Sequence, residues 1–484
     1  MEFLCLITLF LPILAGLAAG FIKEDKLRNS VVLVSLVSQV IVVFLLVANP
    51  VEEFELVRFT DTIALVFGVD TISMIFLLLI SVIWLLAAIY SFEYMKHEEH
   101  RPRFFLFYML SLAALMGLSM AKNLVTMYLC YEMMTLMSVP LVIHTQSKEA
   151  ILAGLKYLGY SVFGAGLGLF GIFFINHYAS TLAFVAGGTL IPELVAGNET
   201  LLYIVYLLMM IGFGGKAGMF PLHAWLPAAH PIAPSPASAL LSGLITKGGV
   251  LAIIRVTYFV FGAAFLQGSF AQMILLGLTI FTIFMGSMLA YKEKLLKKRL
   301  AYSTISQVSY VLFALFLMTP IGLIGAVLQI VYHALAKNML FLSAGSIIYK
   351  TGLKRVDEYR GLGKQMPLVM ILFAIASLSL IGIPPFAGFV SKWYIAQGAF
   401  SNPLGLLGIG VLMISALLTA GYTLPIVIDA FFPGSAFDYK KLKKNDVNML
   451  MGLPLSILAV MLIVLGIFPQ LIMNSLSSLL SVLF

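Results

Sequence analysis

Runs of apolar residues follow one another from Phe3 to Ile467, broken only by short polar stretches. Each is long enough to cross a bilayer, which takes about 17 to 25 residues in a helix. The pattern predicts helices at about 3–21, 31–48, 69–91, 104–120, 124–143, 151–176, 201–220, 236–261, 270–290, 300–318, 321–349, 367–399, 404–432 and 448–468, fourteen in all. The first run is expected to stay as a helix, because Glu2 stands where a signal peptide carries basic residues and no small-residue cleavage site precedes Lys23 to Arg28. The uncharged stretch 471–484 predicts a short interfacial or docking helix.

Two spans carry interruptions. One is Gly212-Phe-Gly-Gly-Lys216-Ala-Gly-Met-Phe-Pro221, continuing through Trp225-Leu-Pro227 to His230-Pro231; the other is Gly382-Ile-Pro384-Pro385-Phe-Ala-Gly388 up to Lys392-Trp393. Proline removes a backbone donor and clashes with the preceding turn, so both helices should break. Carbonyls freed at membrane depth persist only where protein or water satisfies them, so each break marks a polar cavity. Interrupted spans at matching places in two halves are a mark of inverted-repeat transporters. The repeats would cover 101–262 (helices 4 to 8) and 263–432 (helices 9 to 13), after three helices in 1–100 and before helix 14 and a tail in 433–484. The expected fold is an all-α integral membrane protein with two inverted five-helix repeats and broken helices 7 and 12.

Composition agrees: 61% of residues are hydrophobic and 10% charged, against about a quarter charged in soluble domains. The net charge of +8 does not point to nucleic acid, because the basic residues sit in short loops. Twenty-one lysines and arginines fall in one set of alternate loops and only Arg58 and Lys122 in the other. Short cytoplasmic loops carry the basic excess, so both termini should lie outside. Cys5 and Cys130 fall within spans, which leaves no disulfide framework or cysteine metal site, and the seven histidines lack ligand spacing. Gly-Phe-Gly-Gly-Lys216 is not a phosphate loop, since Ala217 stands where Ser or Thr is required.

Six basic residues remain within spans or at their ends: Lys156, Lys216, Lys247, Arg255, Lys337 and Lys392. A charge at a helix centre costs about 2.5 to 3.5 kcal/mol on insertion scales, so it persists where it faces a polar interior. Lys156 and Arg255 lie near span ends and read as snorkelling or pinning residues. Glu132 is the single carboxylate expected deep in the membrane, and a Glu132–Lys216 pair would act as a protonation switch. His333 and Lys337 share a helix face at i, i+4 and would join the two halves. The simplest reading of these charges is a proton path.

The run from Lys216-Ala-Gly-Met-Phe-Pro-Leu-His-Ala-Trp-Leu-Pro to Ser-Gly-Leu-Ile-Thr-Lys247 resembles the signature of the antiporter-like subunits of respiratory complex I. That family is shared with Mrp-type cation/proton antiporters and membrane-bound hydrogenases. Leu300-Ala-Tyr-Ser-Thr-Ile-Ser-Gln307, His333-Ala-Leu-Ala-Lys-Asn-Met-Leu-Phe-Leu342 and Gly382-Ile-Pro-Pro-Phe-Ala-Gly-Phe add to the likeness. The resemblance implies that Glu132, Lys216, Lys247, His333, Lys337 and Lys392 form the proton path, and that His230 matches a motif histidine with a path or gating role. Two positions depart from the pattern, Ala228 and Leu295, each standing for an aspartate. The N-type and Mrp D-type subunits of the family carry lysine at the Lys392 position and the M-type usually glutamate, and the short C-terminal tail lacks the long lateral helix of the L-type; the resemblance favours a D-, M- or N-like subunit.

The implied function is proton translocation within a multi-subunit, redox-driven pump in a bacterial or archaeal cell membrane. Its partners would be related membrane subunits and a redox module, with no cofactor in this chain. The rivals are a subunit of an Mrp-type Na+/H+ antiporter and a passive membrane spacer.

Overall fold

The structure, a computed structural model, describes residues 2–60, 63–434 and 444–484. Lys440, Lys441 and Lys443, counted above among the basic loop residues, lie outside the described residues. Among the described residues the protein is all-helical apart from one small hairpin. Twelve helices among the described residues are long and apolar enough to cross a membrane.

Two of the predicted spans fall outside those twelve for separate reasons. Leu296–Phe316 is a continuous helix of 21 residues, but Lys297, Lys298, Arg299, Ser303, Thr304, Ser306, Gln307 and Ser309 make it more polar than its neighbours. The stretch 367–399 forms two shorter helices, Pro367–Ile381 and Ala387–Ala399, separated at the Gly-Ile-Pro-Pro-Phe interruption. Asp25–Ala48 starts earlier than its apolar run, because Asp25 in its first turn is bonded by both Arg28 and Arg101. The antiparallel pair Phe54–Arg58 and Ala64–Phe67 lies in a predicted loop; strands of five and four residues are too short to give a clear alternation.

Two helices make the centre. Ser235–Phe261 is wholly buried, and Pro320–Thr351, 32 residues long, is buried along nearly its whole length and packs against it. Asp25–Ala48 and Gly405–Phe431 lie at the periphery with most of their apolar residues outward, as expected of helices facing lipid. Small residues allow the closest approaches, as in membrane bundles generally. A Cβ at Gly164 would lie 2.5 Å from the Gly212 carbonyl oxygen, so Lys148–Tyr178 and Glu199–Ala217 touch backbone to backbone there. The tail forms the helix Gln470–Leu483, with Leu476 and Leu483 buried against Thr71–Tyr94 and Pro320–Thr351. Its 14 residues extend about 21 Å at the helical rise, short of a hydrocarbon core of about 30 Å.

Candidate functional site

Lys216 sits one residue inside the end of Glu199–Ala217, where Gly218 adopts φ 90° and turns the chain out of the helix. The Trp225 indole returns across this break to donate to the Gly215 carbonyl at 2.9 Å. Lys216 Nζ donates to three hydroxyls, Thr135 at 2.7 Å, Tyr157 at 2.8 Å and Ser161 at 3.1 Å. It also lies 4.4 Å from the Tyr157 ring centroid, in cation–π geometry. The close Gly164–Gly212 approach brings Tyr157 and Ser161 within reach.

Glu132 is not among these partners. It is half-buried on Leu124–Val142, beside the exposed Leu129, Met133 and Leu136. Helical periodicity explains the separation: Tyr131, Thr135 and Ser138 point inward from the same helix, and Glu132 falls on its outward flank. The expected close Glu132–Lys216 pair is therefore replaced by hydroxyls around the lysine and a carboxylate turned towards the lateral face.

Lys247 and His333 do meet. A π turn over Leu241–Ile245 widens the helix beside Lys247, an irregularity found often at functional sites. Lys247 Nζ donates to the Ser242 carbonyl at 2.9 Å and lies 2.5 Å from His333 Nδ1. Lys337 is one turn further along Pro320–Thr351 and turns to Leu296–Phe316, donating to Ser303 Oγ at 2.7 Å and the Leu300 carbonyl at 3.1 Å. The Tyr422 hydroxyl donates to the same Ser303 oxygen at 2.7 Å. Ser242 and Thr304 hydroxyls lie 2.6 Å apart, and Thr304 donates to the Leu300 carbonyl at 2.9 Å, which links the surroundings of the two lysines.

Past His333 lies a cavity of about 10 Å³ lined by Gln307, Gln329, His333, Ser379, Leu380 and Gly388. That is the size of one water molecule. On its far side the second helix break leaves the last carbonyls of Pro367–Ile381 without helical partners, and Lys392 Nζ binds two of them, Leu380 at 2.6 Å and Ile381 at 2.7 Å. His333 thus stands between Lys247 and a one-water gap leading to Lys392. His230 is buried, stacked on Phe341 with ring centroids 4.8 Å apart, and neither ring nitrogen has a hydrogen-bond partner in the protein.

Arg255 pins helices. Only 1% exposed, it donates to Asp70 at 2.7 and 2.9 Å and to Ser73 at 3.0 Å. Asp70, just ahead of Thr71–Tyr94, has its carboxyl pushed up by burial, but Arg255 and then Lys122 outweigh this and hold it well below the usual carboxylate range. Lys156 is exposed. At the Leu295 departure, Glu293 supplies a carboxylate: its Oε1 accepts from the backbone N–H groups of Lys294 and Leu295, both at 3.0 Å, and Lys298 pairs with it at 2.9 Å.

The hydroxyls and amides around the lysines, Thr135, Tyr157, Ser161, Ser303, Tyr422 and Gln329, were not singled out by the sequence. Such residues are scattered through apolar spans, and spacing alone does not say which of them meet.

Comparison with known proteins bears on this arrangement. Residues 121–419 match the family described as NADH:quinone oxidoreductase/Mrp antiporter, TM, and residues 60–105 match NADH-Ubiquinone oxidoreductase (complex I), chain 5 N-terminus. The chain is 30% identical over 411 residues to NADH-quinone oxidoreductase subunit N of Desulforudis audaxviator, covering 82% of this chain and 81% of that one. It is 30% identical over 371 residues to the D-type subunit of the Na(+)/H(+) antiporter of Bacillus subtilis, covering 76% and 73%. Its fold superposes on a chain of the Mrp complex from Dietzia sp. with TM-score 0.87 and 22% identity, over 100% and 98% of the two chains. The chain therefore belongs to the family of membrane subunits shared by NADH:quinone oxidoreductases and Mrp antiporters.

Proposed function

We propose that this chain is a proton-translocating, antiporter-like subunit of a multi-subunit redox-driven ion pump in a bacterial or archaeal cell membrane. In this reading fourteen helices cross the membrane, the repeats 101–262 and 263–432 are inverted with respect to each other, helices 7 and 12 are the broken ones, and both termini lie outside. The observation that carries it is the series of hydrogen-bonded basic groups inside the bundle: buried Lys216 at the first helix break, Lys247 against His333, Lys337 a turn away, and half-buried Lys392 on the carbonyls of the second break. A lysine held by neutral hydroxyls and carbonyls can lose its proton without leaving a counter-charge stranded, which suits a relay.

Protons would load at one half path, pass through Lys247, His333 and Lys337, and leave beside Lys392. Glu132, facing laterally, would sense a neighbouring subunit and act on Lys216 through field rather than contact. Electron carriers would reside in partner subunits. Lys216→Ala tests the reading: proton translocation by the purified complex in proteoliposomes is expected to vanish while assembly is kept, and full translocation would overturn it.

The likeness to the Na(+)/H(+) antiporter of Bacillus subtilis favours one second reading, a subunit of an Mrp-type Na+/H+ antiporter that exchanges the two ions without an electron donor. Sodium-dependent proton flux in vesicles lacking any donor would select it.

A further inference from the structure

Phe270–Lys292 is one of the helices long and apolar enough to cross a membrane. Phe270, Ile274, Phe281, Phe284 and Tyr291 are exposed along it at helical spacing, so one face is apolar from end to end. A Cβ at Gly277, on the same face, would meet open space. The Tyr291 ring closes this stripe against Gly421 of Gly405–Phe431, at the level where aromatic side chains gather between hydrocarbon and headgroups.

Just past the stripe lies a cleft of about 470 Å³. Leu289, Leu295 and the Tyr302 ring form its apolar part, and Lys292, Lys294 and Arg355 stand around it. Two paired loops frame it: Leu296 N–H donates to the Lys354 carbonyl and Val356 N–H to the Lys294 carbonyl, both at 3.0 Å. Glu293 also lines the cleft, but Lys298 and two backbone N–H groups already engage its carboxylate. Arg355 is matched by Asp357 at 2.8 Å. Lys292 and Lys294 are exposed and make no salt bridge among the described residues, so positive charge is in excess at the end of a span.

A free phosphate would match those lysines and leave the leucines and Tyr302 in water. A lipid without net charge would cover the apolar part and leave the lysines unmatched. We propose that the cleft binds an anionic phospholipid, its phosphate between Lys292 and Lys294 and its acyl chains along the apolar face of Phe270–Lys292. The site does not depend on the proton-pump reading. It backs onto the first two turns of Leu296–Phe316, whose Leu300 carbonyl and Ser303 hydroxyl hold Lys337. Arg299 ties the same turns to the carbonyls of Glu293 at 2.7 Å and Tyr422 at 2.8 Å. A bound headgroup therefore steadies the seat of Lys337 from the loop side.

The test uses the intact complex in detergent with phosphatidylglycerol or phosphatidylcholine of identical chains, each carrying a photoactivatable diazirine, and maps the labelled residues by mass spectrometry. Phosphatidylglycerol should label the stripe from Phe281 to Tyr291 roughly 30-fold more than phosphatidylcholine, about 1 kcal/mol for each lysine. Lys292→Gln with Lys294→Gln should bring the two lipids close to parity, and Lys292→Arg with Lys294→Arg should keep the excess. Both lysines are exposed, so neither pair of changes disturbs packing. Equal labelling by the two lipids in the parent complex, or an excess that survives in the glutamine pair, overturns the site. Capture of a neighbouring subunit in place of lipid, by a benzophenone side chain at position 291, overturns it as well.

Discussion

A lysine ammonium inside a bilayer survives only if each of its donors is met, and Lys216 is met by three hydroxyls from two neighbouring helices. Tyr157→Phe removes one acceptor and keeps the ring, so it should cost about 1.5 to 3 kcal/mol of stability, read as a lower unfolding midpoint in detergent, and should slow translocation. Asp70→Asn leaves the Arg255 charge buried and unpaired, at a cost of roughly 3 to 5 kcal/mol. Adding Arg255→Met should restore part of that loss, and a double-mutant cycle on thermal unfolding checks it. His144, just past Leu124–Val142, has its imidazole pushed down to about 4 by burial and then by Arg103. The unfolded chain takes up this proton below about pH 6.5 while the folded one resists to about 4. The resulting stability is therefore complete above 6.5 and lost as pH falls through that window, about 3 kcal/mol in all; His144→Gln should flatten the acid limb of a melting-versus-pH series. Lys216, Lys247, Lys337 and Lys392 were legible in the sequence because each interrupts an apolar run, whereas Lys297, also buried, was not, because it stands in a basic cluster that reads as a loop. Their hydroxyl partners were not, because serine, threonine and tyrosine are ordinary in spans. Glu132 was legible as an odd charge, yet its direction was not, since one residue of helical phase separates the inward face of Tyr131 from the outward flank.

Helices were the most readable elements, since twenty apolar residues leave few alternatives to a span. Both interruptions were readable from their glycines and prolines, and helices do end at Ala217 and Ile381. The hairpin of Phe54–Arg58 and Ala64–Phe67 was missed because its length gives no period to count, and the π turn at Leu241–Ile245 because its sequence is that of an ordinary helix. Gly218→Ala tests the first break. Its positive φ disfavours any side chain, and the new Cβ would collide with Leu226. The strain is about 1 to 2 kcal/mol before the collision, and translocation should drop with little change in the amount of complex. Larger residues at Gly164 would part Lys148–Tyr178 from Glu199–Ala217 and pull Tyr157 away from Lys216, so Gly164→Leu should resemble Tyr157→Phe and exceed it in severity, measured by the same flux assay.

Along the chain, basic residues collect in one set of alternate loops, and in the structure a half-buried carboxylate, Glu132, lies on the lateral surface. Bare in hydrocarbon, an acidic side chain costs about 2.5 to 3.5 kcal/mol, so the Glu132 flank is suited to another subunit rather than lipid. Met133→Cys, exposed beside it, should crosslink to a neighbouring subunit in the intact complex and remain unlinked in the isolated chain. The gap between His333 and the second break has a consequence for selectivity. At about 10 Å³ it admits a single water, whereas a sodium ion would have to shed its hydration shell and replace it with several oxygens. The lysines and histidine on either side would also repel it. On the proton-pump reading this centre would pass a proton by exchange of hydrogen bonds and stop a metal cation by size and charge together. On that reading, any sodium moved by the assembled complex would take a route that does not run between Lys247 and Lys392.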